Sequence, residues 1–316
     1  MLSTLEILLP VFGLIFAGFV CRKRGLLGPT AASELNRFVV WLALPALLFD
    51  IMAHATWHQL YQPAFVATFA LSCAGVFVLI LAVRLLSGRH LADASVDAIA
   101  GSYPNTGYIG FPLCMIAFGP VSQTPTTIAT ILVACVLFAI AIVLIEVGLQ
   151  AERAPHRLAL KVVGSLSRNP LIVSPIVGVL VASAHVTLPQ SAETFLKLLG
   201  GAASPCALVS LGLFLAEKRE SQTEVGKSGA SLLLTGTKLL LQLALTWWLA
   251  ARVFALSPLL VEMAVVLAAL PTGTGPFMLA EFYRREAHIT SRTILLSTLG
   301  SLVTLSLLLL YMRHGA

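Results

Sequence analysis

Charge is what this chain has least of. Only 11% of its 316 residues are charged, where a soluble domain carries roughly 25%. No stretch between its apolar runs is long enough to hold a core of its own, which excludes a soluble globular protein. A sequence pI near 9.3 does not imply nucleic acid as a partner, because the basic loops are short and lack interleaved aromatics. Cysteine is scarce too: Cys21, Cys73, Cys114, Cys135 and Cys206 lie in or at the ends of apolar runs, in no CxxC spacing. Free buried thiols are expected, with neither a disulfide nor a thiolate metal site. Catalytic and nucleotide motifs are missing. Gly226-Lys227-Ser228 resembles the tail of a phosphate-binding loop, but Ser221 stands where the first glycine is required. His54 and His58 have no third metal ligand nearby, and there is no nucleophile elbow, HExxH or pair of catalytic carboxylates. The expectation is a non-enzyme with no cofactor and no metal.

What the chain has is hydrophobicity, 58% of its residues with a mean hydropathy of +0.94. Ten apolar segments stand out: Leu2–Cys21, Glu34–Met52, Gln62–Leu86, Ala92–Phe118, Pro125–Gln150, Pro170–Val186, Thr194–Ala216, Ser228–Ala251, Pro258–Tyr283 and Ile289–Met312. Helices are the expected form, since an open sheet leaves its edge unpaired in hydrocarbon. The first segment has no Lys or Arg before it, so it reads as a membrane helix and not a cleaved signal. The longest loop, 151–169, divides a first half, 1–150, from a second, 170–316.

Fifteen of the twenty Lys and Arg lie in the loops after the odd-numbered segments. They are Arg22, Lys23, Arg24; Arg84, Arg89; Arg153, Arg157, Lys161, Arg168; Lys218, Arg219, Lys227; and Arg284, Arg285, Arg292. Arg252 and Arg313 alone mark the other face. By the positive-inside rule those odd loops are cytoplasmic and both termini periplasmic, in a bacterial inner membrane with lipid as its surroundings. Five segments per half place the second half in the opposite orientation, so a repeat must be inverted. Pro10 and Gly13 recur as Pro175 and Gly178; Pro29, Arg37 and Pro45 as Pro189, Lys197 and Pro205; Pro104 as Pro271.

Two segments cannot be continuous helices. Tyr103-Pro104-Asn105-Thr106-Gly107-Tyr108-Ile109-Gly110-Phe111-Pro112 interrupts segment 4, and Leu270-Pro271-Thr272-Gly273-Thr274-Gly275-Pro276-Phe277 interrupts segment 9. Proline removes a backbone donor and clashes with the preceding turn, and glycine weakens a helix further. Broken backbone at membrane depth survives only inside protein or around a watery cavity. A pair of interrupted segments, one in each half, points to the binding site of a transporter. Two half-helix N-termini meeting there suit an anion, above all a carboxylate. Asn105, Thr106, Thr272 and Thr274 add donors, and Gly107 and Gly273 let a ligand approach. The alternative is a pair of structural kinks. Lys238, deep in segment 8, needs a partner or a task; it either adds positive potential to the anion site or pairs with a helix carboxyl end. Glu34 and Arg37 are expected to pair. Glu146 and Glu262 lie near segment ends and are expected to reach the interface; Asp50, near the outer end of segment 2, is expected there too, with carriage of a proton as the alternative.

Pro104 through Leu113, Arg168-Asn169-Pro170, Ala269-Leu270-Pro271, Pro276-Phe277 and Ala280-Glu281-Phe282-Tyr283 resemble the auxin efflux carrier family, which includes bacterial transporters linked to malonate. The resemblance implies an all-α fold like that of bile-acid/sodium symporters: ten helices in two inverted five-helix repeats, with crossed broken helices 4 and 9. It implies a scaffold of helices 1, 2, 6 and 7 that dimerises, and a unit of helices 3–5 and 8–10 that slides like an elevator. It places Asn105 at the substrate-contacting asparagine and Pro271 at the second crossing proline, with Pro104 and Tyr108 flanking the first contacts. Leu48 and Phe49 stand where plant carriers tend to have a polar contact. The function implied is secondary transport of a small organic anion, a mono- or dicarboxylate such as malonate, with a proton or sodium as the coupling ion where uptake demands one. An exporter of an auxin-like aromatic weak acid and a sensor that binds without transporting stay open.

Overall fold

The computed structural model describes residues 2–56, 61–150, 155–216 and 224–315. His58, Arg153, Lys218 and Arg219, which entered the sequence argument, lie outside them. Among the described residues all regular structure is helical, apart from one isolated bridge.

Helix α1 is Leu2–Lys23, α2 is Ala31–Ala53 and α3 is Pro63–Leu86. A short α4, Leu91–Ala100, follows. The chain then leaves the helix and resumes with a π-turn, Thr106–Gly110, that leads into α5, Phe111–Phe118. Gly119, at φ +73°, turns it back through Gly119–Ser122, in a conformation glycine adopts without penalty. Helix α6 occupies residues 123–149. Then come α7, Pro155–Leu166, α8, Pro170–Ser183, α9, Gln190–Leu215, and α10, residues 224–253, whose first turns contain Gly226, Lys227 and Ser228. The last three are α11, Pro258–Ala269, α12, Gly275–Phe282, and α13, Ala287–Gly315.

Proline explains many of these boundaries. Pro63, Pro170, Pro258 and Pro276 occupy first-turn positions, where the missing N–H has no helical acceptor anyway; Pro112 comes just after the π-turn. Pro45 follows a π-turn, Val39–Ala43, within α2, and Pro205 follows a turn at Ala202 within α9. Pro10 and Pro175 sit inside α1 and α8. Of the prolines that recur between the two halves of the sequence, Pro10 and Pro175 thus lie within helices, as do Pro45 and Pro205.

Each of the ten apolar runs is helical, two of them with interruptions. Among the described residues, six helical stretches suffice by length and composition to cross a membrane, or seven if Ala159–Leu166 and Pro170–Ser183, bent by 73°, form one span. The interrupted runs give shorter pieces, such as Pro258–Ala269. Leu71, Val78, Phe16 and Trp247 are exposed, as befits surface turned to lipid. The molecule is a polytopic membrane protein.

The loop expected at 151–169 is different in the structure. It contains α7, with Leu160 and Val163 exposed and Val162 buried. Leu158, Val162 and Leu166 recur at helical spacing among the four basic residues, and the helix is bent by 73° from α8.

The most extensive helix pairings are α8 with α2 and α1 with α9. Gly178 brings α8 onto the backbone of Phe49, and Gly212 brings α9 onto that of Ile15, the close approach small residues allow between membrane helices. At one end of the bundle Arg84 Nε donates to Asp97 Oδ2 (2.6 Å), Arg285 pairs with Asp93 (3.1 Å) and Arg89 with Glu286 (3.5 Å). The loops after segments 3 and 9 therefore share one basic end. At the other end His54 meets Asp50 (3.2 Å) and Glu193 (3.6 Å), and Glu193 meets Lys197 (3.5 Å). Glu34 and Arg37 pair at 3.4 Å as expected, on an exposed surface where such a pair adds little.

Candidate functional site

The two helix breaks meet. Pro104 and Thr272 form an antiparallel bridge. The Asn105 amide donates to the Pro271 carbonyl (2.9 Å), and the Gly273 amide donates to the Tyr103 carbonyl (3.0 Å). Each unwound strand thus satisfies the other, which is what backbone far from water requires.

The helix ends beside the bridge are closed by side chains. The Thr272 hydroxyl donates to the Ala100 carbonyl at the end of α4 (2.9 Å), and Gln242 Nε2 donates to the Ser102 carbonyl (3.2 Å). The Thr272 amide donates to Ser297 Oγ (3.1 Å). Lys238 Nζ donates to the Ala268 carbonyl at the end of α11 (2.7 Å), a position where the helix dipole favours a cation. Lys238 is fully buried and pairs with a helix carboxyl end, the second of the two tasks the sequence left open.

Beside the bridge lies a cavity of about 280 Å³, at the lower end of the range for small-molecule sites. Asn105, Thr106, Gly107, Tyr108 and Phe111 line it from the first break, and Thr274, Gly275 and Met278 from the second. Thr130 and Ala134 of α6, Val39, Leu44, Leu47 and Ile51 of α2, Ala203 and Ala207 of α9, and Tyr103 complete the wall. The first turn after each break leaves amides without helical acceptors, and these turns carry Gly107, Tyr108 and Gly275. No Lys, Arg or His is among the lining residues. Its attraction for negative charge therefore comes from amides, hydroxyls and helix dipoles, set among apolar walls. In chemical terms it can take a small molecule with one anionic end.

Five of the ten residues singled out from sequence line this cavity: Asn105, Thr106, Gly107, Tyr108 and Thr274. Pro104, Pro271, Thr272 and Gly273 build the bridge behind it, and Lys238 lies off it against α11. Gly273 has another reason to be glycine. A Cβ there would come within 2.9 Å of the Tyr103 ring, and one at Gly275 within 3.0 Å of Tyr103 and Phe138. The two glycines seat an aromatic ring, where the sequence suggested only close approach of a ligand.

Other side chains escaped the sequence reading. Glu146 is buried and accepts from the Tyr283 hydroxyl (2.8 Å), so the expected interfacial role is corrected: α12 brings a donor over it. Asp97, fully buried against Arg84, was visible as a carboxylate within segment 4. The α2 contacts Leu44, Leu47 and Ile51 carry no signal that separates them from other core residues. No group of three or more potential metal ligands occurs among the described residues.

Comparison with known proteins follows the same lines. The profile of the family described as membrane transport protein matches residues 3–309. A protein of Rhizobium meliloti, provisionally named a malonate transporter, is 31% identical, over 98% of this chain and 96% of its own length. The uncharacterized transporter YfdV of Escherichia coli is 23% identical over 94% of each chain. Auxin efflux carrier component 8 of Arabidopsis thaliana is 22% identical over 93% of each.

Proposed function

The chain belongs to the membrane transport protein family, that of the auxin efflux carriers, and on that premise we propose that it is a secondary transporter of a small organic anion. The observation that carries the reading is the meeting of two broken helices beside a cavity lined by Asn105, Thr106 and Thr274. The substrate is a mono- or dicarboxylate of malonate size, its carboxylate held by first-turn amides and hydroxyls. Asn105 is the principal side-chain contact. The ten helical runs act as two inverted five-helix repeats. Helices α1, α2, α8 and α9 form a dimerising scaffold, and the remaining transport helices slide against it in alternating access. The basic end faces the cytoplasm across a bacterial inner membrane, and both termini are periplasmic.

Moving one charge through 100 mV yields about 2.3 kcal/mol, so export of an anion needs no coupled ion. Uptake of a dianion needs protons or sodium. The deciding experiment is flux of labelled malonate, and of other carboxylates, in proteoliposomes with and without proton and sodium gradients. Flux that needs the protein and saturates supports the reading, and binding without flux would make the chain a sensor instead. The apolar walls of Leu47, Ile51, Phe111 and Met278 favour a second substrate class, a weak acid with a hydrocarbon or aromatic body. Indole-3-acetate belongs in the same assay for that reason.

A further inference from the structure

A second cavity, of about 520 Å³, opens at the basic end, with Glu146, Lys161, Arg168, Asn169, Trp41 and Phe282 among its lining residues. It lies across α12 from the first cavity: Gly275 and Met278 face the crossing, and Phe282 faces this second space. The crossing cavity runs along α2 from Val39 through Leu44 and Leu47 to Ile51, toward the Ala53 end. Only one of the two spaces is continuous with the breaks.

Specific contacts hold the helices at the second space. The Tyr283 hydroxyl donates to Glu146 Oε1 (2.8 Å) and accepts from Asn169 Nδ2 (3.4 Å). The Phe282 ring lies 6.3 Å from that of Trp41 and 5.0 Å from that of Tyr283. Glu146 and Asn169 are both buried. Asn169 caps α8, its Oδ1 accepting from the Leu171 amide (3.0 Å), while Glu146 and Tyr283 belong to α6 and the end of α12. The two hydrogen bonds differ in kind. The shorter one joins two transport helices, and the longer, neutral one is a polar link between them and the scaffold, beside the Phe282–Trp41 ring contact. A contact of that length between neutral groups is readily given up when the units slide.

We infer that the second cavity is an inner vestibule for carboxylate anions and that the Asn169–Tyr283–Glu146 chain is the gate that closes it from the crossing. The inference rests on the transport reading above and adds the path and its closure. Lys161 and Arg168 at the rim concentrate anions near the opening. Glu146 stays with Tyr283, which keeps an uncompensated carboxylate out of that path.

The test uses the full chain in sealed vesicles of both orientations, with its five cysteines replaced by alanine and Ala134→Cys as a reporter in the crossing cavity. A membrane-impermeant maleimide is expected to label the reporter chiefly from the face opposite the basic end. Tyr283→Phe removes both bonds, and Asn169→Asp keeps the α8 cap while losing the donor. Each is expected to raise labelling from the basic face about fivefold, the equilibrium shift that loss of one neutral hydrogen bond produces. Glu146→Gln keeps an acceptor for Tyr283 and is expected to label like the starting chain. Unchanged labelling in both gate variants, or an equal rise in Glu146→Gln, overturns the gate. For the vestibule, Ser165→Cys is probed with anionic and cationic methanethiosulfonates. The ratio of anionic to cationic rates is expected to fall severalfold in Arg168→Gln, and an unchanged ratio overturns the vestibule. None of these readouts needs malonate, so a chain that moves no carboxylate would defeat the transport reading while the gate is judged separately.

Discussion

Two threonines of the same break, Thr272 and Thr274, are expected to fail in opposite ways when each becomes valine, a change that replaces a hydroxyl by a methyl. Thr272 is 1% exposed, and its hydroxyl donates to the Ala100 carbonyl at 2.9 Å. Thr272→Val leaves that carbonyl, at the end of α4, without this donor in a dry interior. An unsatisfied buried acceptor costs about 1–3 kcal/mol. For a chain of this size that is a drop of roughly 2–12 °C in Tm, taking about 2–4 °C per kcal/mol. Thr274 is also buried, at 4% exposure, but it lines the cavity. Thr274→Val is expected to leave Tm within about 1 °C and to weaken malonate binding by about tenfold, the worth of one hydrogen bond to a charged group. Thermal unfolding of the detergent-purified protein and saturation of malonate flux in proteoliposomes measure the two quantities. If Thr274→Val lowered Tm as much as Thr272→Val and left half-saturation unchanged, the division between bridge and cavity would be wrong.

Asn105→Ala should reduce malonate flux with the folded yield nearly unchanged, because its side chain lines the cavity; wild-type flux in that variant removes Asn105 from the site. Lys238→Ala deletes a fully buried side chain and the donor to Ala268. About 2–5 kcal/mol of stability should go with it, seen as lower Tm, while malonate half-saturation in the folded fraction stays within about twofold. A tenfold loss of affinity would return the lysine to the anion site. Arg84→Leu strands the buried Asp97 carboxylate, whose partner lies at 2.6 Å, at a cost of about 3–5 kcal/mol. Arg84→Leu with Asp97→Leu should recover most of the folded yield in size-exclusion profiles, and no recovery would mean that Asp97 has another essential partner.

Where the helices break was legible before any coordinates, because proline and glycine act on their own turn and the one before it. Asn105, Thr106, Gly107, Tyr108 and Thr274 were reachable for the same reason: a broken helix in hydrocarbon exposes whatever follows the break. Glu146 and Lys238 were only half legible. Each is conspicuous as an ionisable group in an apolar run, yet whether it meets water, ligand or a buried donor depends on which distant helix lands on it. Helix α7 was not legible, because four basic residues give 151–169 the look of a loop while its apolar positions are fewer than in the ten runs.

Composition and local chemistry by themselves determined that this is a helical, multi-pass membrane protein with a non-helical stretch in each half. Tertiary structure alone decided that the two stretches close each other's backbone bonds, that Gly273 and Gly275 seat the Tyr103 ring, that Lys238 caps α11, and that Tyr283 covers Glu146. The reason is that hydrophobicity and helix breaking are properties of a few consecutive residues. A buried polar group, in contrast, must find its partner wherever packing brings one within hydrogen-bonding distance; here Asn105, Gly273 and Glu146 find theirs in the other half of the chain, and Lys238 finds its partner on a neighbouring helix of its own half.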